Sequence, residues 1–127
     1  MDKSANELKS LVVSKSRLQG AVHLAGAKNS ALRLLAASLL SANSIVLTNF
    51  PLGLIDAQLH IDMLSALGKR VIQERADKVY ITESASLQTS LKWEGRSIRN
   101  TLLILGALTA RFNEGRVPLP GGCKLGE

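Results

Sequence analysis

The residues best suited to chemistry lie at the glycine-rich end of the 127-residue chain, residues 120–127, which carry its only cysteine, Cys123. Three glycines surround the thiol, Lys124 follows it directly, and Arg116 lies upstream. A glycine-rich loop leaves side chains accessible, and nearby positive charge favours the thiolate, which is the reactive form of cysteine. The segment therefore predicts a reactive cysteine, although a small buried apolar residue is the commoner role of a lone cysteine.

A second candidate site lies far upstream, where Gly26 precedes Lys28 and Asn29 at the start of a helical apolar pattern. Free backbone N–H groups and the helix dipole favour anions at a helix N-terminus. Lys28 adds a full positive charge there, and Asn29 adds an amide donor. The segment predicts an anion site, but on this motif alone a solvated lysine is the favoured interpretation, because exposed charges contribute little.

Arg99 is a third candidate, because the sequence places it in the first turn of a helix predicted from residue 97 to about residue 111. A cation at that position opposes the helix dipole, which hints at a partner anion. Arg96 lies just before the same helix. Ordinary surface arginines are an equally acceptable interpretation of both. No metal site or cofactor is predicted, since His23 and His60 are too few and too scattered to form one with a single cysteine.

The elements that must position these residues alternate between strands and helices, which indicates an α/β protein. Gly68 is expected to end the second helix, and Asp56 to cap its start. The first helix carries Arg33 as its only interior charge, so it is expected to be buried almost all round. In chain order, the predicted elements are strands at 11–13 and 21–25, a helix from 28 to about 41, a strand at 44–48, a helix from 56 to 68, a hairpin at 71–73 and 78–81, the helix carrying Arg99, and a strand at 115–119.

The helix that carries Arg99 shows apolar residues at helical spacing, and we expect these to face the core. The inward-facing set is Ile98, Leu102, Leu105 and Leu108, with Thr109 beside them.

The composition describes a globular chain with an aliphatic core, since 46% of the residues are hydrophobic and only 3% aromatic. No apolar run approaches the roughly 18 residues of a membrane span, and the N-terminus lacks the apolar region of a signal peptide. We therefore expect no membrane partner. A single cysteine excludes an internal disulfide and fits a reducing cytoplasm, so a cytoplasmic location is expected.

The net charge of +6 raises the question of nucleic acid. The cations are dispersed, however, and aromatic stacking partners are nearly absent, so no nucleic-acid partner is predicted. A basic balance also attracts small anionic substrates, which fit the pattern better.

Five segments form a pattern through their order and spacing. They are Gly-Ala-Lys-Asn-Ser-Ala-Leu at 26–32, Leu-Ala-Ala-Ser-Leu-Leu at 35–40, Ile-Arg at 98–99, Ala-Arg-Phe at 110–112 and Leu-Pro-Gly-Gly-Cys at 119–123. Together these segments resemble the enolpyruvyl transferase family, and the resemblance runs from about residue 18 to the end of the chain. The cysteine loop distinguishes this branch of the family from the 5-enolpyruvylshikimate-3-phosphate synthase branch, which lacks such a cysteine.

The resemblance implies a particular fold, an inside-out α/β barrel built of βαβαββ units. Residues 1–127 would be an incomplete, N-terminal part of it, namely one βαβαββ unit plus the start of a second. The resemblance also allows residues before about 27 to belong to the other lobe of the full-length enzyme.

The resemblance further implies an activity, the transfer of the enolpyruvyl group of phosphoenolpyruvate to the 3′-hydroxyl of a UDP-sugar, UDP-N-acetylglucosamine, in peptidoglycan precursor synthesis. Lys28 and Asn29 would contact phosphoenolpyruvate and the acceptor sugar, and Arg99 would help to hold the anionic substrate. Cys123 would be the general acid near the phosphoenolpyruvate methylene, could form a covalent adduct with it, and would be the residue that fosfomycin alkylates.

The chain departs from the family pattern in three respects. Arg33 stands where the family usually has proline, Glu127 follows the cysteine loop where a small residue is usual, and the family enzymes are more than three times as long. We therefore expect an N-terminal fragment or a truncated gene, inactive alone and prone to self-association through bare apolar surface. Two alternatives stay open: a paralogue that uses another nucleotide, and a non-catalytic remnant.

Overall fold

A computed structural model describes residues 11–74, 77–83, 86–96 and 98–121. Three strands form one antiparallel sheet in the order β1-β3-β2, in which β3 pairs with both of the others. The elements are helix α1 (Lys28–Ala37), continued by a 3₁₀ turn (Ser38–Leu40), strand β1 (Ile45–Leu47), helix α2 (Ile55–Ala66), strand β2 (Lys69–Glu74), strand β3 (Lys78–Glu83) and helix α3 (Thr101–Phe112).

The predicted α/β class is confirmed, and so are the first helix, the strand at β1 and the hairpin. The hairpin pairs Val71 with Ile81, and both side chains lie on the face that contacts the core. The arrangement is compatible with an incomplete enolpyruvyl transferase fold. The described residues form a three-stranded open sheet, not a closed barrel.

The two strands predicted nearest the N-terminus do not form. Residues 11–13 and 21–25 lie outside every strand, and their large apolar side chains are 82% to 89% exposed. A strand exists only when a neighbouring strand satisfies its backbone groups, and no described segment pairs with these two. The strand predicted at 115–119 reduces to one parallel bridge, between Ser90 and Arg116.

The core is formed by residues of the sheet and of helices α1, α2 and α3, and it is aliphatic, as the composition predicts. Leu35, Leu64, Ile81 and Leu108 are among its fully buried members. The prediction that α1 is buried almost all round is wrong, because Arg33 is exposed and Leu34 is 48% exposed. Helix α1 contacts both α2 and α3, and its remaining side, which carries Arg33 and Leu34, is exposed.

Helix α2 begins one residue earlier than predicted, and Asp56 is not its N-cap. A turn in which the Leu54 N–H donates to the Pro51 carbonyl directs the chain into the helix. The Leu54 carbonyl then accepts the first helical bonds, which makes Leu54 the N-cap and places Asp56 in the first turn. Gly68 ends the helix as predicted, because its φ of 107° suits glycine.

Helix α3 begins at Thr101, four residues later than predicted, and it ends at Asn113 in the left-handed conformation. Its buried side chains include Thr101, Ile104 and Leu108, whereas Leu102 is 53% exposed and Thr109 is also exposed. The predicted inward face is therefore wrong at these two positions. The helix is apolar on several faces, so spacing alone did not select the stripe that meets the core.

Three charged side chains join the sheet to α3 in a mostly buried cluster. The Glu83 carboxylate receives hydrogen bonds from both terminal nitrogens of the Arg111 guanidinium, at 2.8 and 3.0 Å, and lies 2.9 Å from the Lys69 ammonium. The fully buried Lys69 ammonium also donates to the Ser41 carbonyl (2.7 Å), and Arg111 donates to the Leu39 carbonyl (3.0 Å). The hydrogen bonds from Arg111 are the main reason that the pKa of Glu83 falls to about 2.

Substitution Glu83→Gln is expected to destabilise the fold, because it leaves the buried Lys69 ammonium without its counter-ion. We expect a loss of about 2 kcal/mol at pH 7, the order typical of hydrogen bonds to charged groups. The folded-state pKa is lowered from 4.5 to about 2, so this contribution is present above pH 4.5 and disappears as the pH falls towards 2. Urea unfolding at several pH values measures it.

The matched control is Glu74→Gln, which removes an exposed carboxylate from β2. It should change the stability by less than about 0.5 kcal/mol. Equal effects of the two substitutions would contradict the structural role of Glu83.

His60 is a fully buried side chain of α2, and neither ring nitrogen has a hydrogen-bond partner among the described residues. Burial disfavours the charged imidazolium and lowers the pKa of His60 to about 4. The imidazole of the unfolded chain takes up a proton near pH 6.5, whereas that of the folded chain does so only near pH 4. The free energy of unfolding therefore keeps its full value above pH 6.5 and decreases as the pH falls to about 4.

Acidification from pH 7 to pH 4 should therefore cost the protein roughly 3 kcal/mol through His60, since each unit of pKa shift corresponds to about 1.4 kcal/mol. Substitution His60→Leu should remove this loss and leave the stability at pH 7 unchanged or higher, because no polar atom is then buried without a partner. Thermal unfolding of both proteins between pH 7 and pH 4.5 isolates His60, since the Glu83 contribution changes only below that range. Parallel pH profiles would contradict the assignment.

Candidate functional site

The start of α1 is positioned by a close backbone contact. A Cβ atom at Gly26 would collide with the backbone carbonyl of Asn49, so glycine lets the segment before α1 lie against the turn after β1. Ala27 then caps the helix in an extended conformation, and its carbonyl accepts the Ala31 N–H at 2.9 Å. Lys28 is thus the first residue of α1, where the leading N–H groups have no intrahelical partner. This confirms the predicted location of Lys28 at a helix N-terminus.

Lys28 lines an open groove of about 420 Å³. The first two residues of α2, Ile55 and Asp56, line the same groove, so the positive ends of two helix dipoles meet there. Arg96, from the segment before α3, adds a second cation. The complete lining is Lys28, Gly53, Leu54, Ile55, Asp56 and Arg96. Two helix starts and two cations give this groove the character of an anion-binding surface.

An ion pair between the Lys28 ammonium and the Asp56 carboxylate crosses the groove. The Lys28 side chain is 50% exposed and that of Asp56 is 22% exposed. At this exposure an ion pair contributes little to stability. Asp56 also lies in the first turn of α2, where a carboxylate interacts favourably with the helix dipole. The Lys28 ammonium is therefore available to a ligand that enters the groove.

Two other predicted site residues, Asn29 and Arg99, do not line this groove. Asn29 is exposed, does not line the groove, and accepts a hydrogen bond from Arg33 through its backbone carbonyl (3.3 Å). Arg99 is exposed in the turn before α3, so its predicted place in the first turn of a helix is wrong. Cys123 lies outside the described residues, and its predicted role is not tested.

The sequence did not predict that Asp56 belongs to this site. It assigned the residue to a helix cap, and no sequence pattern connects a carboxylate at position 56 with an ammonium 28 residues earlier. The sequence indicates the charge of Arg96, but its place in the same groove as Lys28 depends on the path of the segment between β3 and α3. In both cases the position of the residue in the groove depends on the tertiary structure, which the order of residues does not show.

Neither a metal centre nor a membrane helix is found in the described part of the chain. Those residues contain no group of three or more His, Cys, Asp or Glu side chains placed to hold a metal ion. Their helices are all too short or too polar to cross a membrane.

Comparison with known proteins identifies the family. A family profile described as EPSP synthase (3-phosphoshikimate 1-carboxyvinyltransferase) matches residues 12–127. The match covers most of the chain, which therefore belongs to this family. The resemblance found in the sequence is confirmed at that level.

Individual curated relatives carry a more specific name. The chain is 41% identical over 117 residues to the UDP-N-acetylglucosamine 1-carboxyvinyltransferase of Psychromonas ingrahamii, with 91% of this chain and 27% of the relative covered. It is 39% identical to the enzyme of that name from Prochlorococcus marinus subsp. pastoris, covering 91% and 25%. It is 40% identical to UDP-N-acetylglucosamine 1-carboxyvinyltransferase 1 of Carboxydothermus hydrogenoformans, covering 93% and 28%. The chain thus spans about a quarter of the length of these relatives.

Substitution Lys28→Gln should weaken the binding of small anions while leaving the fold intact. We expect about tenfold weaker binding of inorganic phosphate, since an ammonium in the groove provides a charge-assisted bond. The free energy of unfolding should change by less than about 1 kcal/mol, because the ion pair with Asp56 is largely exposed. Amide chemical-shift titration with phosphate, together with urea unfolding, measures both quantities.

The matched control for this experiment is Arg33→Gln, which removes a cation from an exposed position of α1 outside the groove. Its phosphate affinity should stay within about twofold of the unsubstituted chain at moderate salt, where distant charges are screened. Equal losses in the two variants would indicate a response to net charge and not a site at Lys28.

Proposed function

We propose that this chain is the N-terminal part of an enzyme that transfers the enolpyruvyl group of phosphoenolpyruvate to the 3′-hydroxyl of UDP-N-acetylglucosamine, releasing phosphate. The observation that carries the proposal is the 41% identity over 91% of the chain to a relative named for this reaction. In that role the chain would serve peptidoglycan precursor synthesis in the cytoplasm.

The groove at Lys28 suits the ligands of this reaction. Phosphoenolpyruvate carries a phosphate and a carboxylate, and the acceptor carries a diphosphate, so every substrate is an anion. Lys28, Arg96 and the starts of two helices provide positive charge and free N–H donors on one surface. The net charge of +6 also raises the local concentration of such ligands.

The chemistry requires an acid close to the donor. In our proposal Cys123 transfers its proton to the methylene carbon of phosphoenolpyruvate, and the central carbon becomes cationic. The acceptor hydroxyl attacks that carbon and gives its proton to a base, which we expect in the sequence beyond the matched quarter, so that a tetrahedral intermediate forms. The methyl group then returns a proton to the Cys123 thiolate, the enol double bond forms again, and the electron pair of the C–O bond leaves with the phosphate. Lys28, Asn29 and Arg99 would hold the anionic groups while charge develops on the leaving phosphate.

We expect the remainder of the site to come from sequence that the relatives possess beyond the matched quarter. Enzymes of this kind of chemistry exclude water by closing around their substrates, which one wall of a groove does not achieve. The 127-residue chain should accordingly release no phosphate from the two substrates by itself.

A chimera tests the proposal directly. The matched 117 residues of the Psychromonas ingrahamii relative are replaced by the corresponding residues of this chain, and phosphate release from phosphoenolpyruvate is measured with UDP-N-acetylglucosamine. We expect turnover, and a loss of at least about a hundredfold with Cys123→Ser, the order typical of removing a general acid. The matched control is the unsubstituted relative.

Three outcomes separate the alternatives. Turnover that depends on a different nucleotide would point to a paralogue with another acceptor. A folded chimera without turnover, whose Cys123 gains no fosfomycin adduct by mass spectrometry, would indicate a non-catalytic remnant. Turnover that survives Cys123→Ser would contradict the role of the cysteine while leaving the family assignment unaffected.

A further inference from the structure

The ion pair in the groove places a carboxylate at the position where we propose that an anion binds. We propose that Asp56 is an internal counter-ion, which competes with anionic ligands for Lys28 and thereby sets the affinity of the groove. This inference rests on the proposed function of the groove as an anion site. It assigns Asp56 a role in ligand discrimination that neither helix capping nor fold stability requires.

The two partners of the ion pair differ in how firmly they are held. Asp56 belongs to the first turn of α2, and its side chain is only 22% exposed. Lys28 reaches the carboxylate through a long, flexible side chain that is 50% exposed. The carboxylate is therefore the fixed partner, and the ammonium is the one that moves when a ligand arrives. Because a lysine ammonium has three donors, it can also contact both anions at once.

Either arrangement makes Asp56 oppose the ligand. If the ligand takes Lys28 away, the ion pair is lost. If both anions share the ammonium, two negative charges lie within a few ångströms of each other, and each weakens the binding of the other. Asp56 is the only acid among the described residues that line the groove, so this opposition comes from one side chain.

The position of Arg96 determines which anionic ligands bind to Lys28 despite the negative charge of Asp56. Arg96 lines the same groove as the ion pair, and it provides a second cation. A small anion at Lys28 competes with Asp56 for its single contact. A ligand with two anionic groups gains Arg96 as well and tolerates the neighbouring carboxylate better. The arrangement therefore favours ligands with two separated anionic groups, such as a phosphorylated carboxylate or a nucleoside diphosphate, over inorganic phosphate.

The test compares two substitutions on the same helix. Asp56→Asn removes the carboxylate from the groove and keeps the shape of the side chain. Asp62→Asn removes an exposed carboxylate further along α2, where Asp62 accepts a hydrogen bond from Gln58 at 2.9 Å. Both raise the net charge by one, so a difference between them isolates the groove. The dissociation constant for inorganic phosphate is measured by amide chemical-shift titration of the 127-residue chain at low salt, with UDP as a second probe.

We expect Asp56→Asn to tighten phosphate binding by about threefold to fivefold, the order that exposed charge pairs provide. Asp62→Asn should alter it by less than about 1.5-fold. The gain at Asp56 should be smaller for UDP than for phosphate, and it should shrink in the double variant Lys28→Gln/Asp56→Asn. Thermal unfolding of each variant verifies that the fold is kept.

The possible failures are distinguishable. If Asp56→Asn binds phosphate no tighter than the unsubstituted chain, while Lys28→Gln still weakens binding, the counter-ion role is wrong and the anion groove stands. If Asp56→Asn weakens binding, the carboxylate positions Lys28 and does not compete for it, which also overturns the inference. If Lys28→Gln binds phosphate as well as the unsubstituted chain, or if no variant binds, the anion groove itself is wrong.

Discussion

The carboxylate of Glu83 links strands β2 and β3 to helix α3, whose relative orientation the aliphatic core alone does not define. It lies at the end of β3 and binds Lys69 of β2 and Arg111 of α3. The same two cations contact the Ser41 and Leu39 carbonyls at the end of the 3₁₀ turn, where a helical segment leaves acceptors unpaired. Hydrophobic contacts are non-directional, whereas the two parallel bonds from Arg111 define an orientation. This contact therefore helps to orient α3 relative to the sheet.

The candidate site depends on that arrangement indirectly. Residues 98–100 lead into α3, and Arg96 lies just before them. A fixed α3 therefore limits where Arg96 can reach. The other side of the groove is built by two local devices, the close approach of Gly26 to Asn49 and the turn from Pro51 to Leu54. Together they bring the starts of α1 and α2 to one surface, with Lys28 and Asp56 in contact across it.

The exposed apolar surfaces of the chain are consistent with its membership of a family of longer proteins. Residues 11–25 carry large apolar side chains that are almost fully exposed, and an apolar groove, bordered by Leu40, Leu102 and Gly106, lies between α1 and α3. Exposed apolar surface of this extent usually marks an interface. The relatives are about four times longer than the matched region, so sequence that covers such surfaces exists in the family. The expected self-association of the 127-residue chain stays a prediction.

The order of residues alone predicts the features that depend on neighbours along the chain. Helical periodicity located α1 and α2, the glycine at 68 located the end of α2, and the two short apolar runs on either side of residues 75–77 located the hairpin. The motif at 26–32 led to the family and placed Lys28 at a helix start. Tertiary structure decided everything that required a partner distant in sequence. Residues 21–25 have no strand beside them among the described residues, which only the tertiary structure shows. The tertiary structure also shows which side of α3, a helix that is apolar on several faces, contacts the core. It also paired Lys28 with Asp56, because an ion pair between two helix starts depends on how the helices pack and leaves no pattern in the order of residues.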